Sequence, residues 1–106
     1  MDDVLKDDIN YVVYNGYTYI NITKSPIYCG IDGSKKSIMI PPSGTVIEVP
    51  YLQRMFSFFD RGGYAMIINP KAKEWLEERS YRDTIILGKK DVAILYPGLV
   101  YGISSD

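Results

Sequence analysis

Asn15-Gly16 stands between two six-residue runs, Ile9-Asn-Tyr-Val-Val-Tyr14 and Tyr17-Thr-Tyr-Ile-Asn-Ile22, that are rich in β-branched and aromatic residues. A two-residue loop of type I′ needs positive φ at both positions, which asparagine and glycine tolerate best, so the pair predicts a tight antiparallel hairpin. The same grammar continues down the chain. Residues 27–31 and 37–40 read as a second strand pair joined by Asp32-Gly33-Ser34-Lys35-Lys36. Pro41-Pro42-Ser43-Gly44 ends it, because proline gives the ladder no donor and Gly44 can take positive φ. Residues 45–49 then resume as a strand.

Residues 51–60 are ambiguous. Leu52, Met55, Phe56 and Phe59 recur at helical spacing within a stretch of strand formers, which reads as one or two turns of helix or a packed loop. Arg61-Gly62-Gly63 is a break, and the apolar run at 64–69 reads as a strand buried on both faces. Asn69 is a good N-cap, Pro70 suits the first helical position, and Ala72, Trp75, Leu76 and Arg79 continue one face, so a helix is predicted over about 70–80. Residues 84–87, 92–96 and 99–103 read as strands, with turns at Gly88-Lys89-Lys90-Asp91 and Pro97-Gly98. The pattern predicts an α+β fold, mostly antiparallel β, arranged as a rolled sheet or small sandwich with one short helix over it.

With 106 residues and 46% apolar content, the chain suits one core. The expected organisation is a single β-rich domain over residues 9–106 behind an acidic leader at 1–8. That leader holds Asp2, Asp3, Asp7 and Asp8 against Lys6, which leaves a net charge of +2 on the remainder, and it reads as a solvated, frayed terminus. There is no histidine and only one cysteine, Cys29. Zinc sites of the Cys/His types, an internal disulfide and histidine-based nucleophilic catalysis are thereby excluded, and neither a metal nor a cofactor is expected. An overall charge of −1 argues against duplex DNA as a partner, and no apolar run nears the roughly 18 residues of a membrane span.

Ten tyrosines are the most unusual feature of the composition. Tyr11, Tyr17 and Tyr19 read as a cross-strand ladder on one hairpin face, and at a sheet edge such a ladder becomes a homo-oligomer interface. Arg61-Gly62-Gly63-Tyr64 offers a guanidinium fork, close backbone approach and a stacking ring, though a plain tight turn has the same residues. Lys71 and Lys73 lie in the first turn of the expected helix, where the dipole already favours anions; a solvated surface is the ordinary alternative. Together Arg61, Gly62, Gly63, Tyr64, Lys71 and Lys73 form the candidate site for a small anionic ligand. Cys29 reads as a small core residue, and Arg79, Arg82 and Asp83 with Glu77 and Glu78 as surface ion pairs.

The order of segments resembles a family of small tailed-bacteriophage and prophage proteins without an assigned activity. Those proteins carry a strand like Ile-Asn-Leu-Thr-Pro-His, a central Ile-Pro-Pro-Ser-Gly, an aliphatic strand ending in Val-Ser, a short helix and an Arg-x-Asp segment. The matching pieces here are Ile20-Asn21-Ile22-Thr23-Lys24-Ser25-Pro26, Ile40-Pro41-Pro42-Ser43-Gly44-Thr45-Val46, Ile67-Ile68-Asn69, the helix from Pro70, and Arg82-Asp83. This chain lacks the family's histidine, has Ile68-Asn69 in place of Val-Ser, and adds the tyrosine-rich hairpin at 9–19. The resemblance implies a viral origin, and with no targeting pattern or membrane-length apolar run in the sequence the expected location is the host cytoplasm. The expected function is non-enzymatic binding by a homo-oligomer that counters host defence by sequestering a small anionic signalling nucleotide. The alternative is a virion structural or assembly component.

Overall fold

The structure, a computed structural model, describes residues 3–30, 37–49, 51–53 and 64–103, with 51–53 and 64–66 described as backbone. Eight strands and two helices follow one another: β1 (Val12–Tyr14), β2 (Tyr17–Asn21), β3 (Ile27–Gly30), β4 (Ser37–Ile40), β5 (Tyr51–Gln53), β6 (Tyr64–Met66), α1 (Pro70–Glu78), β7 (Thr84–Lys89), α2 (Lys90–Leu95) and β8 (Tyr101–Ile103). The fold is mixed α+β, and three of the five strand pairings among the described residues are antiparallel. No helix among those residues is long and apolar enough to cross a membrane.

The Asn-Gly turn forms as its chemistry demands, with φ of 54° at Asn15 and 85° at Gly16, and it sets β1 against β2 in the register Val12 to Tyr19, Val13 to Thr18 and Tyr14 to Tyr17. β2 then pairs with β7, and β7 with β8, both in parallel, giving a four-stranded sheet in the order β1-β2-β7-β8. The hairpin β3–β4 and the pair β5–β6 are separate two-stranded antiparallel sheets.

Each face of the larger sheet has its own core. On one side Ile20, Ile22 and Ile86 meet Ala72, Trp75 and Leu76 of α1, Val92 of α2, and Ile47, Val49, Tyr96 and Val100. On the other side β3–β4 lays Ile27 and Ile40 over Leu87, with Val12, Tyr19, Cys29, Ile38, Ile85 and Ile103 around them. Full burial of one aliphatic side chain such as Ile86 or Leu76 is worth about 1.5–3 kcal/mol, so these two layers supply the main drive to fold.

Several sequence expectations are corrected. Residues 92–95 are helical rather than extended, with Tyr96 as the C-cap: β7 and β8 are parallel, and parallel neighbours need a crossover, which α2 supplies. Gly88 and Lys89 belong to β7, and Lys90 and Asp91 open α2, so no turn forms there. Gly88 serves close packing instead, since a Cβ at this position would lie 2.9 Å from Val100 Cγ1 and 3.1 Å from Ile22 Cδ1. Residues 45–49 form no continuous strand; Val46 makes an isolated antiparallel bridge with Val4, and Ile47 N–H donates to Ile22 O. Of residues 51–60, the first three form β5 and 54–60 lie outside the described residues, as does the 31–36 connection. β6 stops at Met66, and Ile67 and Ile68 are exposed rather than buried.

Residues 3–8 of the leader do not fray. Val4 exchanges two backbone hydrogen bonds with Val46, Lys6 N–H donates to Thr45 Oγ1 at 2.9 Å, and Trp75 Nε1–H donates to Lys6 O at 2.8 Å. Leu5 and Ile9 pack on the helix-side core. An acidic segment stays ordered here because its backbone is paired and its apolar residues are covered.

The second layer is fastened by Asn21, which is fully buried at the end of β2. Its Nδ2 donates to Ser25 O at 2.8 Å and Ile40 O at 3.0 Å, while its Oδ1 accepts from Thr23 N at 2.8 Å and Thr23 Oγ1 at 2.7 Å. Asn21→Ala strands these partners without replacements, and a buried group left unpaired costs about 1–3 kcal/mol. The variant is expected to lose about 3 kcal/mol or more in urea unfolding; a loss under about 1 kcal/mol contradicts this role.

Candidate functional site

The start of α1 is capped by the chain itself. Asn69 adopts the extended N-cap conformation, its Oδ1 accepts from Lys71 N at 3.1 Å, and its carbonyl accepts from Lys73 N at 3.0 Å. Pro70 has no N–H to offer. The Asn69 Nδ2 donates to Asp3 Oδ2 at 2.9 Å, and the same carboxylate accepts Glu48 N–H through Oδ1 at 3.0 Å. A native carboxylate therefore stands beside the position foreseen for an external anion. Lys71 and Lys73 are exposed, and two residues apart on a helix they point about 200° away from each other, so they do not converge. Arg61, Gly62 and Gly63 lie outside the described residues, and Tyr64 is described only as the first residue of β6. Of the six residues foreseen for the anion site, Lys71 and Lys73 are the two whose side chains are described, and these diverge.

The tyrosines divide differently from the expected ladder. Strand alternation and the β1–β2 register put Val12, Tyr14, Tyr17 and Tyr19 on the face toward β3–β4. Tyr11 has the opposite parity and falls with Val13 and Thr18 on the other side. The closing pair Tyr14–Tyr17, not Tyr11, completes the row with Tyr19.

That row forms one wall of a surface cleft of about 270 Å³, lined by Tyr14, Asn15, Tyr17, Tyr19, Cys29, Gly30 and Ile38. Tyr14 and Tyr17 are exposed at its mouth, while Tyr19 is half-buried and packs into the second core. Cys29 and Ile38 face each other across β3–β4 and close the opposite side. None of these seven side chains carries a charge at neutral pH. Burial pushes the Cys29 thiol above its ordinary value, which keeps it protonated and makes it a poor nucleophile. The cleft thus offers phenol faces for stacking, phenol hydroxyls and the Asn15 amide for hydrogen bonds, and a small apolar floor.

The Tyr14–Tyr17–Tyr19 row is visible in the alternation around Asn15-Gly16, but Cys29, Gly30 and Ile38 arrive from a different sheet and leave no local signal. Arg79 is also more than a surface ion-pair partner. Its guanidinium lies 4.1 Å from the Trp75 ring centroid, its Nη1 donates to Trp75 O at 3.2 Å, and its Nη2 reaches Asp7 at 3.3 Å. No protein-family model, curated protein or solved structure matches the chain.

The raised thiol predicts a reactivity pattern. At pH 8, Cys29 is expected to react with iodoacetamide several-fold more slowly than in the urea-unfolded chain, with the rate climbing as pH passes above 9, its ordinary value. Equal rates in the folded and unfolded chain, followed by mass spectrometry, contradict a shielded thiol.

Proposed function

We propose that the protein is a non-enzymatic binding protein that holds one flat, uncharged ring of nucleobase size in the tyrosine cleft. The observation that supports this most is the Tyr14–Tyr17–Tyr19 row set against the Cys29–Ile38 floor, with no charged side chain among the described lining residues. Aromatic faces accept any π-ring and gain about 1–3 kcal/mol per stacked base. A volume near 270 Å³ suits a single ring system rather than a drug-sized molecule. Drawing on the likeness to phage proteins, we read this as an accessory protein of the host cytoplasm that withdraws a nucleotide signal from host defence. The base carries the affinity and the phosphates stay outside the cleft. Lys71 and Lys73 take no part.

Calorimetric titration with nucleosides and their linear and cyclic phosphates tests the reading. A nucleoside and its phosphate are expected to bind within about threefold of each other, and Tyr17→Ala to weaken both by roughly five- to hundredfold, the equivalent of one lost stack. The proposal fails if no member of the panel binds at millimolar concentration. It fails equally if phosphorylation improves affinity tenfold or more, which would move recognition to a cationic site elsewhere.

A further inference from the structure

We infer that β1 is a self-pairing edge: two copies join β1 to β1, antiparallel about a twofold axis at Val13, so that two four-stranded sheets become one of eight strands. β1 is the outermost strand of its sheet, and β2 is its one neighbour among the described residues. In a two-residue type I′ hairpin the closing residues, here Tyr14 and Tyr17, exchange both of their backbone hydrogen bonds. Val12 and Tyr19, two steps on, do the same. Val13 lies between them at a non-hydrogen-bonded position, so its own N–H and C=O point away from β2 toward the open edge.

The occupant of that edge follows from symmetry and charge. A residue whose N–H and C=O both point outward can exchange two hydrogen bonds with its own copy, which places the axis at Val13 and fixes the register. A twofold contact sets like beside like, so any charge near the axis would repel itself. Residues 9–19 contain no charged residue and no proline, the devices by which sheet edges are ordinarily kept apart. Val13 is 62% exposed and Tyr11 57%, a large apolar surface to leave in water on a strand already shaped for pairing.

In this register Val13 stacks on Val13 of the partner subunit, and Tyr11 faces Asn15 of the partner subunit. On the opposite face, Val12 of the partner subunit comes beside Tyr14 and extends the outer rim of the cleft. The dimer itself does not depend on a ligand in that cleft, so a failed nucleoside titration leaves it standing, and a monomer leaves the cleft standing.

Light scattering after size exclusion at about 100 μM, well above a micromolar Kd, is the primary test. The wild-type chain is expected at twice its 12.1 kDa mass. Val13→Lys introduces like charges on the axis, and Val13→Pro removes the outward donor while sparing the β1–β2 ladder; both are expected at the monomer mass with unchanged circular dichroism. Tyr28→Ser, on the outer face of β3–β4, is expected to remain dimeric. In a Cys29→Ser background, Val13→Cys is expected to form an intermolecular disulfide on mild oxidation, because paired residues on such an axis have Cα atoms about 5.5 Å apart. A wild-type monomer at 100 μM overturns the inference, as does a dimer that Val13→Lys leaves intact.

Discussion

The buried amide of Asn21 is the point on which the two halves of the architecture turn. β2 belongs to the large sheet, β4 to the small hairpin, and no backbone ladder joins them beyond the Asn21–Pro42 bridge, where Ser43 N–H donates to Asn21 O at 2.8 Å. Pro41 and Pro42 have no N–H, so β4 must end where they begin. The Ile40 carbonyl left at that end is taken by the Asn21 side chain. Ser43 Oγ then accepts Thr45 N–H, and the chain passes beneath α1. The Ile20-Asn21-Ile22-Thr23 and Ile40-Pro41-Pro42-Ser43-Gly44 segments are thus two sides of one joint, and their residue types are accounted for by this fastening. Because the joint suspends β3–β4 over the sheet, it also sets the width of the tyrosine cleft.

A second constraint runs through the leader. Trp75 is almost fully buried and its indole N–H must find an acceptor, which the Lys6 carbonyl provides. That bond, with Val4–Val46 and Lys6–Thr45, turns a charged segment into a strap across α1 and residues 45–48. Asp3 is structural within it, accepting from both Glu48 and Asn69. Asp7 is fully exposed, so its contact with Arg79 is a solvated ion pair, and Arg79 is held chiefly by the Trp75 ring and carbonyl. The acidic character of residues 2–8 therefore has a local use at Asp3, and the helix start it serves is supplied from within the chain.

What could be read from the sequence was local. Asn15-Gly16, Asn69-Pro70 and the Pro41-Pro42 stop each act through backbone chemistry within a few residues, and each produced the expected turn, cap or strand end. The parallel pairings of β2 with β7 and β7 with β8 join residues more than sixty positions apart in the first case and leave no local signature. Their effects propagate: the five apolar residues at 92–96 fit strand or helix equally, and the crossover requirement that decides for α2 appears only once β7 and β8 are known to be parallel. Gly88 shows the same limit, since its lack of a Cβ is needed by Val100 and Ile22, neither of which is near Gly88 in sequence. At the cleft, period-two alternation assigns Tyr14, Tyr17 and Tyr19 to one face, but their meeting with Cys29 and Ile38 depends on the Asn21 joint.

The hairpin at 9–19 has two faces and an edge, and all three are fixed by the same turn. A slip of one residue in a strand exchanges its faces, so Tyr14 would leave the cleft and Val13 would enter the second core. The positive φ values at Asn15 and Gly16 hold the register against that slip, and Tyr19, packed among Val12, Ile85 and Ile27, holds it from the other end. This explains why tyrosine suits the hairpin better than leucine or phenylalanine. Its ring can line an apolar wall while its hydroxyl remains in water, so one strand can present aromatic surface on a solvent-facing side without collapsing onto the core. In a chain this small, with most of its aliphatic residues consumed by two cores, the tyrosine hairpin is where recognition surface can be placed without weakening either.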